Sequence, residues 1–274
     1  MRKKSLLRHR VYVRRRFPRP AVLLLLFIAL LLVAFVRYAR PAIHRLALDL
    51  DQAPVASERI TRDVGFDALS LYLVELKRSD QADAARVEAA RYVPRGAAGY
   101  VLRDGEACCV IGAGFSDKAD AERVAAQLKQ DEAIDARIHV LTGEAALLRV
   151  TATEAQLKAL VEGEGALRAL TPALAAHALA LDRGMVEPAG LRAALSIEAE
   201  QAGANLARLK KAAGEAPNAV AAGLIERLAA LEDACRRLSA DSGDSALILS
   251  SRLKYAFIDL RAGHIEFLKG LGSR

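Results

Sequence analysis

The side chains that most often do chemistry are few in this chain and lie far apart. The glycine-containing turn at 112–114 lacks the third glycine of a dinucleotide fingerprint and the Lys-Ser/Thr of a phosphate loop. No Gly-x-Ser-x-Gly nucleophile motif occurs. The sequence therefore predicts no enzymatic activity, and a hydrolase assembled from distant residues stays open as an alternative. The histidines, none in a His-Glu-x-x-His pair, are His9, His44, His139, His177 and His264.

The three cysteines indicate neither a disulfide scaffold nor a metal centre. Cys108 and Cys109 are adjacent, and neighbouring residues do not suit the geometry of a relaxed disulfide. Cys235 falls in the apolar stripe of a predicted helix, where a cysteine packs as a small hydrophobic residue. No Cys/His spacing resembles a zinc site. We therefore expect no cofactor and no metal.

The first 37 residues predict a membrane anchor. Residues 1–20 carry nine Lys/Arg and no acid, and residues 21–36 are sixteen apolar side chains in a row. As a helix that run is about 24 Å long, and its flanking residues extend it toward the roughly 30 Å of a bilayer core. The alternative is a cleaved signal peptide, but the run exits at Ala39-Arg40-Pro41, a poor cleavage site. We expect an uncleaved signal anchor over residues 21–37.

The distribution of charge predicts the topology. Basic residues stay on the cytoplasmic side, so the chain after Arg40 is expected outside the cell, in a single-pass protein of the cell membrane. Without the nine basic residues of the head, 31 Lys/Arg face 33 acids, so residues 21–274 carry a formal charge of −2. The overall +7 therefore does not indicate a nucleic-acid partner. The expected partner at this end is membrane lipid, through the anchor.

Residues 69–141 predict strands and helices in the order β-α-β-β-α-β. Apolar, β-rich runs over 71–76, 99–102, 107–112 and 134–141 predict strands, and an Asp-Gly turn within 103–106 joins the middle two. Residues 80–92 and a stretch capped by Ser116 or Asp117 show helical spacing. This order is the split-βαβ arrangement, with two helices on one face of a four-stranded sheet and the other face free.

The stretch 107–130 resembles the second half of a SPOR (sporulation-related) domain. Gly112-Ala113-Gly114-Phe115 is similar to that family's turn, and Ala121, Ala125 and Leu128 hold its helix positions. The resemblance implies a bacterial, membrane-anchored envelope protein that binds peptidoglycan, particularly glycan strands stripped of stem peptides, through the open sheet face. It also implies a role at the septum during cell division or in sporulation, and possible envelope or divisome protein partners.

Strand parity, taken with this resemblance, predicts a binding cleft. Alternate residues of a strand point to opposite faces, so one set should face the glycan and the other set the helices. The expected glycan-binding residues are Leu73, Glu75, Lys77, Cys109 and Ile111. The set expected to face the helices is Tyr72, Val74, Leu76, Cys108 and Val110.

The C-terminal part of the sequence, residues 166–274, predicts an antiparallel helical bundle. A capping box at 153–156 opens a short helix that Gly163 and Gly165 are expected to end. Proline and glycine punctuation then predicts helices that begin near Pro172, Pro188, Pro217 and Ser245. Short connections favour a bundle within one chain, and an oligomeric coiled coil stays open.

The predicted fold class is α+β: an N-terminal transmembrane helix, a split-βαβ (ferredoxin-like) SPOR-type domain and a C-terminal antiparallel α-helical bundle. Two functions follow from it. The first is non-catalytic binding of peptidoglycan glycan strands, and the second is a membrane-anchored protein-protein scaffold acting through the bundle. The predicted segments are a basic cytoplasmic head at 1–20, the anchor at 21–37, a spacer at 38–68, the SPOR-like domain at 69–141, a connecting strand and helix at 142–165, and the bundle at 166–274.

Overall fold

The computed structural model describes residues 58–241, 243 and 245–272. The strands of this part are β1 (Arg59–Phe66), β2 (Leu69–Ser79), β3 (Tyr100–Asp104), β4 (Ala107–Phe115), β5 (Arg137–Gly143) and β6 (Ala146–Thr153). The helices are α1 (Ala82–Tyr92), α2 (Lys118–Glu132), α3 (Glu154–Asp182), α4 (Pro188–Ala213), α5 (Ala219–Ala240) and α6 (Ala246–Gly272).

Strands β2 to β5 form an antiparallel sheet in the order β3-β4-β2-β5. With α1 and α2, the order along the chain is the β-α-β-β-α-β that the sequence predicts for this stretch. Asp117 caps α2, because its carboxylate accepts hydrogen bonds from the backbone N–H groups of Ala119 (2.8 Å) and Asp120 (3.2 Å). A small apolar cluster joins α1 to one face of the sheet through Ala85, Ala89, Cys108 and Val110.

Helix α6 packs against the other face of this sheet. Phe257 and Ile258 of α6 are buried in the same core as the sheet residues Leu71, Leu73 and Ile111. The hydroxyl of Ser251 donates to the carbonyl of Val93 at 2.8 Å, which fixes the first half of the helix beside the sheet edge. Helix α6 therefore covers part of the sheet face that the sequence predicts to be free.

Strands β1 and β6 form a second, two-stranded antiparallel sheet outside the four-stranded one. Thr153 then starts α3 with a capping box, since its hydroxyl accepts from the Gln156 N–H while the Gln156 side chain accepts from the Thr153 N–H. The prediction that Gly163 and Gly165 end this helix is wrong. Helix α3 continues to Asp182, with Pro172 inside it.

Four helices, α3 to α6, form the bundle, and their buried leucines continue into the sheet without a break. One core cluster joins Phe66 of β1, Leu73 of β2, Leu174 of α3 and Leu228 of α5. Burying each such side chain is worth about 1.5–3 kcal/mol. Residues Glu58–Arg274 accordingly form one compact unit.

The structure is α+β, but the architecture predicted from the sequence is wrong. Within the described part of the chain, no helix is both long and apolar enough to cross a membrane. The described residues also form two sheets and six helices in place of a free-faced sheet followed by a separate bundle. The anchor predicted over 21–37 lies outside the described residues, in the unit Met1–Ser57.

The continuity of α3 predicts the effect of two glycine substitutions. Gly165 is exposed, and a Cβ there would meet nothing within 4 Å, so Gly165→Ala should raise the free energy of unfolding by about 0.5–1 kcal/mol. Gly163→Ala is the matched control, because its Cβ would lie 3.3 Å from Leu228 and 3.4 Å from Leu209. Urea unfolding of both variants checks this. A loss of stability in Gly165→Ala would show that the helix ends at this glycine.

The docking of α6 on the sheet depends on Gly114. A Cβ at this position would lie 2.7 Å from Ile258 Cγ1 and 3.2 Å from Leu71 Cδ1, which is too close for either to stay in place. Gly114→Ala should therefore lower the free energy of unfolding by roughly 1–3 kcal/mol, as overpacked cores do. Urea unfolding measures the change, and unchanged stability would mean that α6 does not press on this face.

Candidate functional site

Four of the five residues predicted to line a glycan cleft are buried. Leu73, Cys109 and Ile111 have no exposed surface, and Glu75 is 4% exposed. The parity assigned from the sequence places these four on one face, and α6 and its neighbours cover that face at Leu73 and Ile111. These buried residues leave no open cleft for a polymer.

The fifth residue, Lys77, points to the opposite face. The pairing of β2 with β4 is irregular between Val74 and Lys77, which breaks the alternation of faces. The Lys77 ammonium consequently lies 3.3 Å from the Glu88 carboxylate of α1. Its predicted orientation toward the cleft is wrong for this reason. Arg78 takes the place expected for Lys77, beside Glu75.

A polar cluster around Glu75 lies on the same sheet face, beyond the part that α6 covers. His139 lies on β5 opposite Leu73 of β2, and its Nε2 hydrogen-bonds to Glu75 Oε2. The Arg78 guanidinium lies 3.5 Å from the Glu75 carboxylate and 2.7 Å from that of Asp104. Cys109, on β4 opposite Arg78, also hydrogen-bonds to Glu75. Residues from three strands thus meet at one carboxylate, and Asp104 of a fourth strand pairs with Arg78 beside it.

The hydrogen bonds to Glu75 decide its charge. Burial raises the pKa of this carboxyl group, but the hydrogen bonds from His139, Cys109 and Arg78 together outweigh burial and hold the pKa below its ordinary value of 4.5. Glu75 is therefore a buried anion near neutral pH. A buried anion is tolerated only where it is paired and hydrogen-bonded, as it is here.

The same surroundings disable Cys109 as a nucleophile. Burial and the hydrogen bond to the Glu75 anion raise the pKa of the Cys109 thiol to about 11. A thiol of that pKa stays protonated near neutral pH, and the thiolate is the reactive form. His139 is bonded to Glu75 rather than to the thiol, so no Cys-His dyad is formed. The cluster does, however, combine a thiol, an imidazole and a carboxylate whose ligand atoms all lie within 4.8 Å of one another.

Every histidine in the described part of the chain faces a glutamate, which sequence reasoning missed. Besides His139, His177 Nε2 lies 2.7 Å from Glu198 Oε1 between α3 and α4. In the bundle, His264 Nε2 of α6 lies 3.0 Å from Glu164 Oε2 of α3. The sequence separations exceed any local pattern, and only the packing of the helices and strands brings each pair together.

A groove runs along strand β3, and we call it the β3 groove. Among the described strands β3 pairs only with β4, so its other edge is not part of a ladder. The groove lies between α1 and the first half of α6 and has a volume of about 770 Å³. Its polar and aromatic lining consists of Asp80, Arg86, Arg103, Glu106, Arg252 and Tyr255.

The groove offers charge, a ring and backbone polar groups in one place. Arg86 is paired at 2.9 Å with Asp83 on its own helix, and Arg103 donates from Nε to the Gly105 carbonyl at 3.4 Å. Tyr255 is 45% exposed and lies with its ring 5.2 Å from that of Tyr100. Guanidinium groups form charge-assisted hydrogen bonds with anions, and exposed aromatic rings provide stacking surfaces.

Comparison with known proteins adds no assignment. No protein-family model matches this chain, and neither a curated protein nor a solved structure matches it. The similarity of residues 107–130 to a SPOR domain therefore rests on those residues alone.

The depressed pKa of Glu75 predicts acid sensitivity. The unfolded chain takes up a proton at this group more readily than the folded chain, so its contribution to stability is complete above pH 4.5 and is lost as pH falls through the folded pKa. Glu75→Gln should lower the free energy of unfolding near pH 7, by roughly 1–3 kcal/mol for each partner left poorly bonded. It should also flatten the decline of stability as the pH falls below 4.5, the ordinary pKa of the group.

Urea unfolding at several pH values measures both effects. The control is Glu144→Gln, because Glu144 is exposed in the connection between β5 and β6. If Glu75→Gln and Glu144→Gln show the same pH dependence as the unmodified chain, the carboxylate is not held by this network.

Proposed function

We propose that this protein is a non-catalytic binder of peptidoglycan glycan strands and that the strand lies in the β3 groove. The observation that carries the proposal is the lining of that groove, which combines three arginines with a half-exposed tyrosine along an unpaired strand edge. The site differs from the predicted sheet-face cleft, four of whose five residues are buried.

The chemistry of a denuded glycan strand fits these groups. Once stem peptides are removed, each muramic acid carries a lactyl carboxylate, and guanidinium groups bind carboxylates in a bidentate manner. Arg86 and Arg103 supply such groups from α1 and β3, on two sides of the groove. Acetamido groups and hydroxyls can bond to the free backbone edge of β3, and a sugar ring can stack on Tyr255.

The dimensions also suit a polymer. Five residues of β3 extend about 17 Å at roughly 3.4 Å each, which is enough for several sugar rings in a row. The two acids of the groove, Asp80 and Glu106, are solvent-exposed. A glycosidase encloses its general acid in an apolar pocket, so their setting favours binding without cleavage.

The predicted location stays a prediction. It depends on the basic and apolar residues of the first 37 positions, which lie outside the described residues. Contact with peptidoglycan requires the described part of the chain to lie on the wall side of the membrane, as that prediction states. Action at the septum or in sporulation likewise rests only on the resemblance.

A second candidate function is a scaffold for a protein partner. A concavity of about 630 Å³ lies between α5 and α6, and its lining includes Ala230, Ala234, Leu238, Ala256 and Leu260. Charged side chains, among them Asp233, Arg237 and Asp259, also line it. A groove between two helices with apolar and charged positions is a common binding site for an amphipathic helix. This candidate predicts no interaction with the wall.

Sedimentation with cell-wall sacculi distinguishes the two functions. We expect the full-length chain to be retained on sacculi stripped of stem peptides by an amidase, and less on intact sacculi. The Arg86→Gln/Arg103→Gln double variant should bind at least ~10-fold more weakly, since each charged hydrogen bond is worth about 1.5–3 kcal/mol. The matched control is Arg149→Gln, because Arg149 is exposed on β6 and outside the groove.

Two results would contradict the glycan proposal. Equal retention of the double variant and of Arg149→Gln would exclude the β3 groove as the site. No retention of the unmodified chain on either kind of sacculus would exclude glycan and favour the scaffold. Unfolding curves of both variants separate loss of binding from loss of fold.

A further inference from the structure

The cluster around Glu75 brings together three different metal-ligating groups. The Glu75 carboxylate, the Cys109 sulfur and the His139 imidazole each offer one ligand atom, and these atoms lie within 4.8 Å of one another. Two of the residues are buried, and the His139 side chain is 18% exposed. We propose that Glu75, Cys109 and His139 form a binding site for one divalent transition-metal ion, with zinc as the best-matched metal.

The identity of the donor atoms selects the metal. One sulfur, one nitrogen and one oxygen form a ligand set that suits Zn²⁺ and the related divalent ions of the first transition row. Ca²⁺ and Mg²⁺ bind through oxygen ligands only, so a set with sulfur and nitrogen does not suit them. Three protein ligands leave a fourth position for water or another ligand.

The strands hold the three ligands in position. Glu75 lies on β2, Cys109 on β4 and His139 on β5, and β4 and β5 each pair directly with β2. Ligands on neighbouring strands of one sheet keep their spacing without the help of a loop.

Arg78 contacts both oxygens of the Glu75 carboxylate. Its Nε lies 3.5 Å from Oε1, and its Nη2 donates at 3.5 Å to Oε2, the oxygen that His139 also bonds. The Asp104 carboxylate approaches the same guanidinium from the solvent side, with its Oδ2 at 2.7 Å from Arg78 Nη2. Arg78 therefore holds the carboxylate in place through hydrogen bonds from outside the ligand set, as groups around metal ligands commonly do.

The charges of the loaded site balance. A divalent ion displaces the Cys109 thiol proton to solvent, and the thiolate with the Glu75 carboxylate then cancels its two positive charges. Arg78 and Asp104 cancel each other beside it. A neutral, buried assembly avoids the desolvation penalty of an uncompensated charge.

Cobalt binding tests the proposal, with the neighbouring cysteine as a matched control. The chelator-treated full-length chain is titrated with Co²⁺ and with Zn²⁺, and bound metal is measured by elemental analysis after gel filtration. Cys108→Ser alters the adjacent residue on the opposite face of β4, which packs with α1. We expect one tightly bound ion and a thiolate-to-cobalt charge-transfer absorption in the unmodified chain and in Cys108→Ser.

Cys109→Ser should lose that absorption, and its affinity for Zn²⁺ should fall at least ~10-fold. His139→Gln should lose the same ion, which keeps the test valid if either variant folds poorly. Absence of the charge-transfer absorption in the unmodified chain would overturn the proposal, as would equal binding by Cys108→Ser and Cys109→Ser. The result is independent of glycan binding, because the cluster and the β3 groove share no residue.

Discussion

The structure depends on the burial of α6 on two sides. One side of this helix packs against the four-stranded sheet and the other against α3 and α5. Its buried side chains include Leu253, Phe257, Ile258 and Ile265, each worth about 1.5–3 kcal/mol. A helix that is apolar over so much of its circumference cannot lie on a surface. The sheet and the bundle therefore share a single core and stabilise each other.

This arrangement determines where ligands can bind. Glycines at 114 and 143 remove the side chains that would keep α6 away, so the helix lies close to the sheet face. Binding is left to the places that α6 does not fill, which are the groove beside its first half and the polar end of the sheet beyond it. Both places have one wall formed by a strand, and strands are rigid supports for a site.

Local patterns in the sequence predict where helices and strands begin. They do not predict which elements pack together, because that depends on contacts between residues far apart in the chain. The Asp117 cap and the capping box at Thr153 are read directly from neighbouring residues and lie at the predicted positions. The predicted end of α3 at Gly163 and Gly165 is wrong, because Gly163 lets the helix pack closely against Leu209 and Leu228. The predicted orientation of Lys77 is wrong, because the irregular pairing of β2 with β4 breaks the alternation of side chains between the two sheet faces. No local signal places α6 on the sheet or pairs His139 with Glu75.

The position of α6 along the chain has a consequence for synthesis. It is the last of the described elements, whereas the sheet face that it covers is complete once β5 has been made. At roughly 5–20 residues per second, Leu71, Leu73 and Ile111 stay uncovered on the nascent chain for several seconds or longer. During that interval the apolar face is available to a chaperone or to another nascent chain. A ribosome that stalls before α6 is finished would release a chain with a sheet but no cover for it.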